Sequence, residues 1–419
     1  MQYKTLCASV LASLLLCGSL TGCGAGMTMQ ADNLTAKVKP QLASGTTPDE
    51  TFEKAQTAFA LHLMQETVKT QPGKNLLLSP YSLMQVLAMS ANGAAGETLA
   101  ELEQALGGIP AETLSSYLYG QRASLPVGAG NQLKTVNSLW VHYDADRIVL
   151  RGTFVQKSVD YFGADIYCAP FDESTRSDIN NWCSEKTDGV IPEILSEPID
   201  PNAVLYLVNA VNFDAKWEEK YEDEPREMMF HAKSGALPSV QMMFSEESVY
   251  LSDAQAEGFL KPYKGGIYAF VGILPKNGMT PEEYLAQTDA DALYGLLQNA
   301  QHASVKAGLP EFTCDWGAEL IPVLQNMGIR TAFQDAADFS GMNAVDNPVA
   351  ISKVLQKTHI EVDVNGTKAQ AISLSETQDS AAPPPPEYTV ILDRPFLYMI
   401  VETDTMMPVF AGVMNEFAS

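Results

Sequence analysis

Glu361-Val362-Asp363-Val364-Asn365-Gly366-Thr367-Lys368-Ala369-Gln370-Ala371-Ile372-Ser373-Leu374-Ser375-Glu376-Thr377-Gln378-Asp379-Ser380-Ala381-Ala382, followed by Pro383 to Pro386, is the stretch on which the fold of this chain turns. Strand geometry sends alternate residues to opposite faces. One face then carries Thr367, Ala369, Ala371, Ser373, Ser375 and Thr377, all small; the other carries Lys368, Gln370, Ile372, Leu374, Glu376 and Gln378. A half-buried strand normally turns large apolar side chains inward. A strand with a small inner face can enter a crowded sheet without displacing much volume. A surface loop of small residues would read the same from this stretch alone. The four prolines should stiffen into a polyproline II rod.

Outside this stretch the chain reads as globular and acidic. Of its 419 residues 46% are hydrophobic and 18% charged, with a net charge of -25. So acidic a chain lacks the phosphate-neutralising surface of a nucleic-acid binder. The start is a targeting segment: Lys4, the short apolar run Val10 to Leu16, then Leu20-Thr21-Gly22-Cys23. That ending resembles a bacterial lipobox, which implies a signal peptide over residues 1–22 and a lipid on Cys23. A plain secretory signal cut near Ala25 is the other reading. Residues 23–47 are polar and read as a flexible tether. The expected location is the extracellular face of a bacterial membrane, lipid-anchored, or the surrounding medium. Beyond Cys23 the mature chain keeps Cys168, Cys183 and Cys314. These are expected as buried thiols, with a Cys168–Cys183 disulfide as the alternative.

Thr47-Pro48-Asp49-Glu50 predicts a helix start with Thr47 as the cap. Ser79-Pro80 predicts another. Further helices are expected at 97–106, in the 109–131 region, and at 154–162, 177–187, 280–298 and 321–327. The apolar runs Ala203 to Phe213 and Ile267 to Leu274 read as strands buried on both faces. More strands are expected at 136–142, 389–392, 396–401 and 409–414. Helices early and strands late, without regular alternation, predict an α+β fold. No G-x-S-x-G, H-E-x-x-H or P-loop is present. His62, His142, His231, His302 and His359 stand apart from one another. No catalytic residue, metal or cofactor is expected, and the chain reads as a non-enzyme.

Taken together, five segments resemble the serpin family. They are Asn75-Leu76-Leu77-Leu78-Ser79-Pro80-Tyr81-Ser82, Leu207-Val208-Asn209-Ala210 through Lys216-Trp217, Asp338-Phe339-Ser340-Gly341-Met342, Glu361 through Ala369, and Asp393-Arg394-Pro395-Phe396. The resemblance covers residues 48 to 417. It implies a single serpin domain over 48–419: a large central sheet, further sheets, about eight to nine helices, and an exposed reactive-centre loop at about 362–388. It also implies an irreversible suicide-substrate inhibitor of serine proteases. The protease attacks the loop, and the arm from 367 to 380 inserts as a strand into the central sheet while the acyl-enzyme is trapped. By family spacing the reactive bond is Ser380–Ala381, with Asp379 as the alternative recognised residue. The hinge is Gly366, Thr367, Ala369 and Ala371. Trp217 falls at the top of the sheet, and Ser79, Ser82, Asn209 and Gln356 fall at its middle opening. Gln356 stands where the family carries a histidine, and Val364 where an acidic residue is common. The small residues around the bond imply an elastase-like or subtilisin-like target, and a monomer that touches a membrane only through Cys23. A non-inhibitory serpin-fold binding protein is the alternative. A lipid-anchored solute-binding protein would need a two-lobe α/β pattern that the sequence lacks.

Overall fold

The computed structural model describes residues 29–125, 131–221, 223–367 and 385–417. In chain order the described elements begin with β1 (Asp32–Asn33), α1 (Glu50–Thr70), β2 (Leu76–Leu78), α2 (Pro80–Ala91), α3 (Gly96–Ala105) and α4 (Ala111–Ser124). Next come β3 (Asn131–His142), α5 (Gly152–Lys157), β4 (Asp165–Ala169), α6 (Glu173–Lys186) and β5 (Leu205–Lys216). Then follow β6 (Arg226–Met229), β7 (Ser239–Ser252), β8 (Ala256–Pro262), β9 (Tyr268–Pro275), α7 (Pro281–Gln287) and α8 (Ala290–Gln298). The chain closes with β10 (Gln301–Pro310), β11 (Phe312–Glu319), α9 (Ile321–Asn326), β12 (Lys353–Asp363), β13 (Gly366–Thr367), β14 (Tyr388–Ile391), β15 (Phe396–Glu402) and β16 (Pro408–Met414). The fold is α+β, with nine α-helices among the described residues.

The strands form two sheets. The first has the order β1-β4-β3-β5-β13-β12-β11, with β5 also paired directly to β12. The second runs β14-β10-β7-β8-β9-β15-β16-β2, with β6 beside β7. Helix α2 is apolar on all sides, and each of its twelve residues is buried. A helix of that kind belongs inside a core; it packs against β3 and β5 of the first sheet and β16 of the second. Ser79 caps it by accepting from the Ser82 N–H, with Pro80 in the first turn. On the other face of the first sheet, Ile179 and Trp182 of α6 join Trp140, Tyr206, Val208 and Leu355 in a separate apolar cluster. Strand β5 is thus covered on both faces, which accounts for its unbroken apolar run.

Several expectations are corrected. Asp49, not Thr47, caps α1: its side chain accepts from the Phe52 N–H and from the Tyr117 hydroxyl. The helix expected over 280–298 is two, because Asp289 caps a fresh start by accepting from Ala292 N–H. The 154–162 helix ends in a single wide turn, Ser158–Phe162, closed by Gly163 at φ 58°. Strands β4, β6, β7, β8, β10, β11 and β12 fill regions that carried no strand signal.

The segment expected to be a loose tether is docked over residues 30–46. The N–H groups of Gln30 and Ala31 both donate to the buried Asp178 carboxylate of α6, at 2.8 and 2.7 Å. Asp32 and Asn33 pair antiparallel with Cys168 and Tyr167. Thr46 N–H donates to Ser116 O at 3.0 Å. On the segment's own side most of these bonds are made by backbone groups, met in part by side chains such as Asp178 from the body, so the segment's composition gave little warning of them. Residues 23–28 lie outside the described residues.

Cys183 and Cys314 are buried free thiols, so no bridge joins Cys183 to Cys168. Desolvation pushes Cys183 up to about 12 and Cys314 up to about 11. The thiolate is the reactive form. Both should therefore resist a thiol-specific disulfide reagent in the native protein at pH 8 and react only on denaturation. Rapid native labelling of either, located by peptide mapping, would contradict this burial.

Candidate functional site: a forked sheet and its hinge

At one end of the first sheet, β5 and β12 part. They pair directly and in parallel from Tyr206↔Lys353 to Asn212↔His359. Above that, β13 lies between them. Thr367 pairs antiparallel with Ala215 on one side and Val362 on the other; Gly366 pairs with Lys216 and Asp363. The chain thus enters the sheet for two residues, at the mouth of a fork.

The turn into the fork is built locally. Asp363 Oδ1 accepts from the N–H groups of Asn365 and Gly366, at 2.7 and 3.1 Å. Gly366 has φ 152°, and a Cβ there would stand 2.1 Å from the Ala215 carbonyl oxygen. No other residue fits. Trp217 closes the turn from the side: its N–H donates to Asn365 O and its indole Nε1–H to Asp363 O, at 3.1 and 2.8 Å. The Trp217 ring stacks on Tyr263, centroids 4.5 Å apart. Tyr263 hydroxyl in turn meets Thr367 Oγ1 at 2.7 Å, with both side chains fully buried. Burial pushes the Tyr263 phenol far above its usual value, so it stays a neutral hydrogen-bonding group.

Behind Trp217 is a buried ion pair. Lys261 Nζ lies 2.8 Å from Glu247 Oε1, with side chains only 3% and 7% exposed. The ammonium sits 5.5 Å from the Trp217 ring centroid and 4.4 Å from that of Tyr221. Ser245 Oγ donates to the same carboxylate oxygen at 2.6 Å.

Farther down, the structure brings Ser79, Ser82, Asn209 and Gln356 into one buried network. Gln356 Nε2 donates to Ser79 O at 3.0 Å and to Asn209 Oδ1 at 2.7 Å, while Gln356 Oε1 accepts from Ser79 N–H at 3.0 Å. Asn209 Nδ2 donates to Asn137 Oδ1 at 2.6 Å and to Ser82 Oγ. The network ties β12, β5 and β3 to α2, and its centre is an amide that cannot titrate. Gln356→Leu would leave a buried N–H, a carbonyl and an amide oxygen short of partners, each costing about 1–3 kcal/mol. We expect a lower denaturation midpoint, to be read by urea titration.

Sequence reading placed Gly366, Thr367, Trp217, Ser79, Ser82, Asn209 and Gln356, and all of them lie along this fork. It missed Tyr263, Lys261, Glu247 and Asn137. Ala369, Ala371, Asp379, Ser380, Ala381 and Cys23 lie outside the described residues. Val364 packs on the core. Among the described residues no group of His, Cys, Asp or Glu is arranged to hold a metal.

The family profile described as Serpin (serine protease inhibitor) matches residues 54–416. The chain belongs to the serpin family. Leukocyte elastase inhibitor A of Mus musculus is 30% identical over 381 residues, covering 87% of this chain and 98% of that protein. Iripin-3 of Ixodes ricinus is 30% identical, over 84% of this chain and 92% of that one. Among solved structures, the thermophilic serpin Tengpin in its native state is 38% identical with a TM-score of 0.87, covering 93% of this chain and 100% of that one. The same protein in its latent state gives 37% identity and a TM-score of 0.77, over 89% and 100%. The closer likeness to the native form agrees with this serpin's own sheet. Its β5 and β12 are paired to each other below Thr367, with no strand between them among the described residues.

Proposed function

We propose that this serpin is a single-use, irreversible inhibitor of serine proteases with an elastase-like or subtilisin-like preference, and not an enzyme. The observation that carries the reading is the hinge. Gly366 and Thr367 already occupy the first rungs between β5 and β12, aligned antiparallel to both. Continuation of the same strand would place Ala369, Ala371, Ser373, Ser375 and Thr377 on the face that Thr367 turns inward. Small neutral side chains can enter there; a bulky one would cost about 1–3 kcal/mol in overpacking. A protease held as an ester on Ser380 would be carried along as the arm inserts, before water can release it. The small residues flanking Ser380–Ala381, with no nearby Arg or Lys, fit a shallow apolar specificity pocket. The relative named leukocyte elastase inhibitor points to the same protease class.

We further propose that the molecule acts as a monomer, held at the outer face of a bacterial membrane by a lipid on Cys23. Among the described residues no helix is long and apolar enough to cross a membrane. The test is incubation with pancreatic elastase and with subtilisin, followed by denaturing gel electrophoresis. The expected result is a covalent complex that survives denaturant, plus a C-terminal fragment beginning at Ala381. Cleavage of the loop with no complex sinks the inhibitory reading.

A further inference from the structure

We propose that the anchored molecule stands with the pole opposite its reactive loop against the bilayer, and that Tyr143 and Val149 form the resting surface. This rests on the lipid-anchor reading given above. The occupant is the phospholipid surface that holds the Cys23 lipid.

Strand register fixes the height of the anchor. Asp32 pairs with Cys168, Cys168 with Val141, and Val141 with Leu205. These four residues share one level, at the start of β5. The hinge pairs with Ala215 and Lys216 at the other end of that strand. Eleven residues of strand separate the two levels, roughly 36 Å at about 3.3 Å per residue.

The docked segment limits the reach of the tether. Were residues 23–47 free, the body could tumble well away from its lipid. The backbone bonds from Gln30 and Ala31 to Asp178, and the β1 pairing, hold the chain to the body from residue 30 onward. Only residues 24–28 separate Cys23 from Met29. However they run, six Cα steps span at most about 22 Å. The membrane must therefore lie within that reach of residue 29, on the side where β1 edges the first sheet and at the level where β5 begins.

The lower pole has a surface suited to it. Tyr143 is 62% exposed and Val149 40% exposed, both in the connection that follows β3. Their backbone is fixed: Tyr143 N–H donates to Ala169 O, Val149 N–H to Asn343 Oδ1, and Ala344 N–H to Val149 O. An exposed tyrosine on a rigid support is a residue type favoured at membrane–water interfaces. Arg147 of the same connection donates to Pro201 O and Asn202 O and offsets part of the charge of its exposed neighbours Asp144 and Asp146. The arrangement turns the Gly366–Thr367 hinge away from the bilayer, toward proteases arriving from solution.

The experiment uses the full lipidated chain, made in a bacterial host and reconstituted into vesicles of phosphatidylcholine and phosphatidylglycerol. One fluorescent donor is placed at Asp144→Cys near the lower pole and another at Glu219→Cys near the hinge, each in a Cys168→Ala background, with an acceptor lipid in the bilayer. Transfer several-fold stronger from position 144 than from 219 supports the orientation, as does its weakening in Tyr143→Ser/Val149→Ser. Equal transfer, or stronger transfer from 219, overturns it while leaving the anchor intact. Failure of the chain to sediment with vesicles, or sedimentation undiminished in Cys23→Ser, overturns the anchor and the orientation together.

Discussion

Thr367→Arg is expected to turn the inhibitor into a substrate: elastase cleaves the loop at an undiminished rate, and the covalent complex vanishes. Thr367 is fully buried before any protease arrives, its hydroxyl bonded to Tyr263 and its backbone to both flanking strands. An arginine there would put a charge among Tyr263, Trp217 and Phe213, where the nearby carboxylates are already engaged, Asp363 by the hinge turn and Glu247 by Lys261. A buried charge without a partner costs several kcal/mol. The variant has two ways to avoid that cost, and both defeat trapping. The hinge can leave the fork in the uncleaved protein, or insertion can stall at its first residue after cleavage. Either delay gives water time to hydrolyse the acyl-enzyme. Thr367→Ser keeps the hydroxyl and should keep inhibiting. The measurement is the ratio of complex to cleaved inhibitor on denaturing gels. A full yield of complex from Thr367→Arg would show that insertion does not begin at this residue.

Lys261→Met should be among the most damaging single substitutions outside the loop. It removes one member of an ion pair that has almost no contact with solvent. The methionine fills most of the space, so the loss is electrostatic: Glu247 is left buried, keeping the hydrogen bond from Ser245 but not its counter-charge. Breaking a buried pair from one side costs about 3–5 kcal/mol. Loss of the ammonium from the Trp217 and Tyr221 rings adds to this. Adding Glu247→Gln should restore most of the stability, because the uncompensated charge is then gone. Urea denaturation of the single and double variants checks the argument. Equal losses in both would show that packing, not charge, is what Lys261 supplies. Since Trp217 holds the hinge turn through Asp363 O, its emission should shift in the single variant.

Much of this frame was legible in residues that act on their neighbours. Ser79-Pro80 announced a helix start, and the apolar run from Ala203 announced a central strand; both readings rest on contacts a few residues long or on a simple period. Gly366 was legible as a turn, although the reason for it, the Ala215 carbonyl 2.1 Å from where a Cβ would be, was not. What stayed hidden was long-range pairing. Thr367 meets Tyr263 across 104 residues, and nothing about an isolated tyrosine marks it for that role. Nothing in the sequence marked Lys261 and Glu247 as a buried pair, since charged side chains are usually exposed; the antiparallel pairing of β7 and β8 brings them together behind Trp217. The docking of residues 30–46 escaped because a backbone N–H bonds equally well whatever side chain accompanies it.

The C-terminal strands carry a further consequence. Strands β14, β15 and β16 all follow the proposed cut, and β15 and β16 are buried along their whole length in the second sheet, β14 lying parallel to β10 at its edge. A single cut at Ser380–Ala381 therefore divides the polypeptide without dividing the body. A molecule cleaved there and released by hydrolysis would be a heterodimer of its own two pieces, its native mass altered only by one water, with one shared core. Unfolding makes that state hard to regain, because two separate chains must then find each other in solution. Cleavage thus converts a reversible intramolecular folding problem into a concentration-dependent assembly, which gives the used molecule a chemical memory of having been spent.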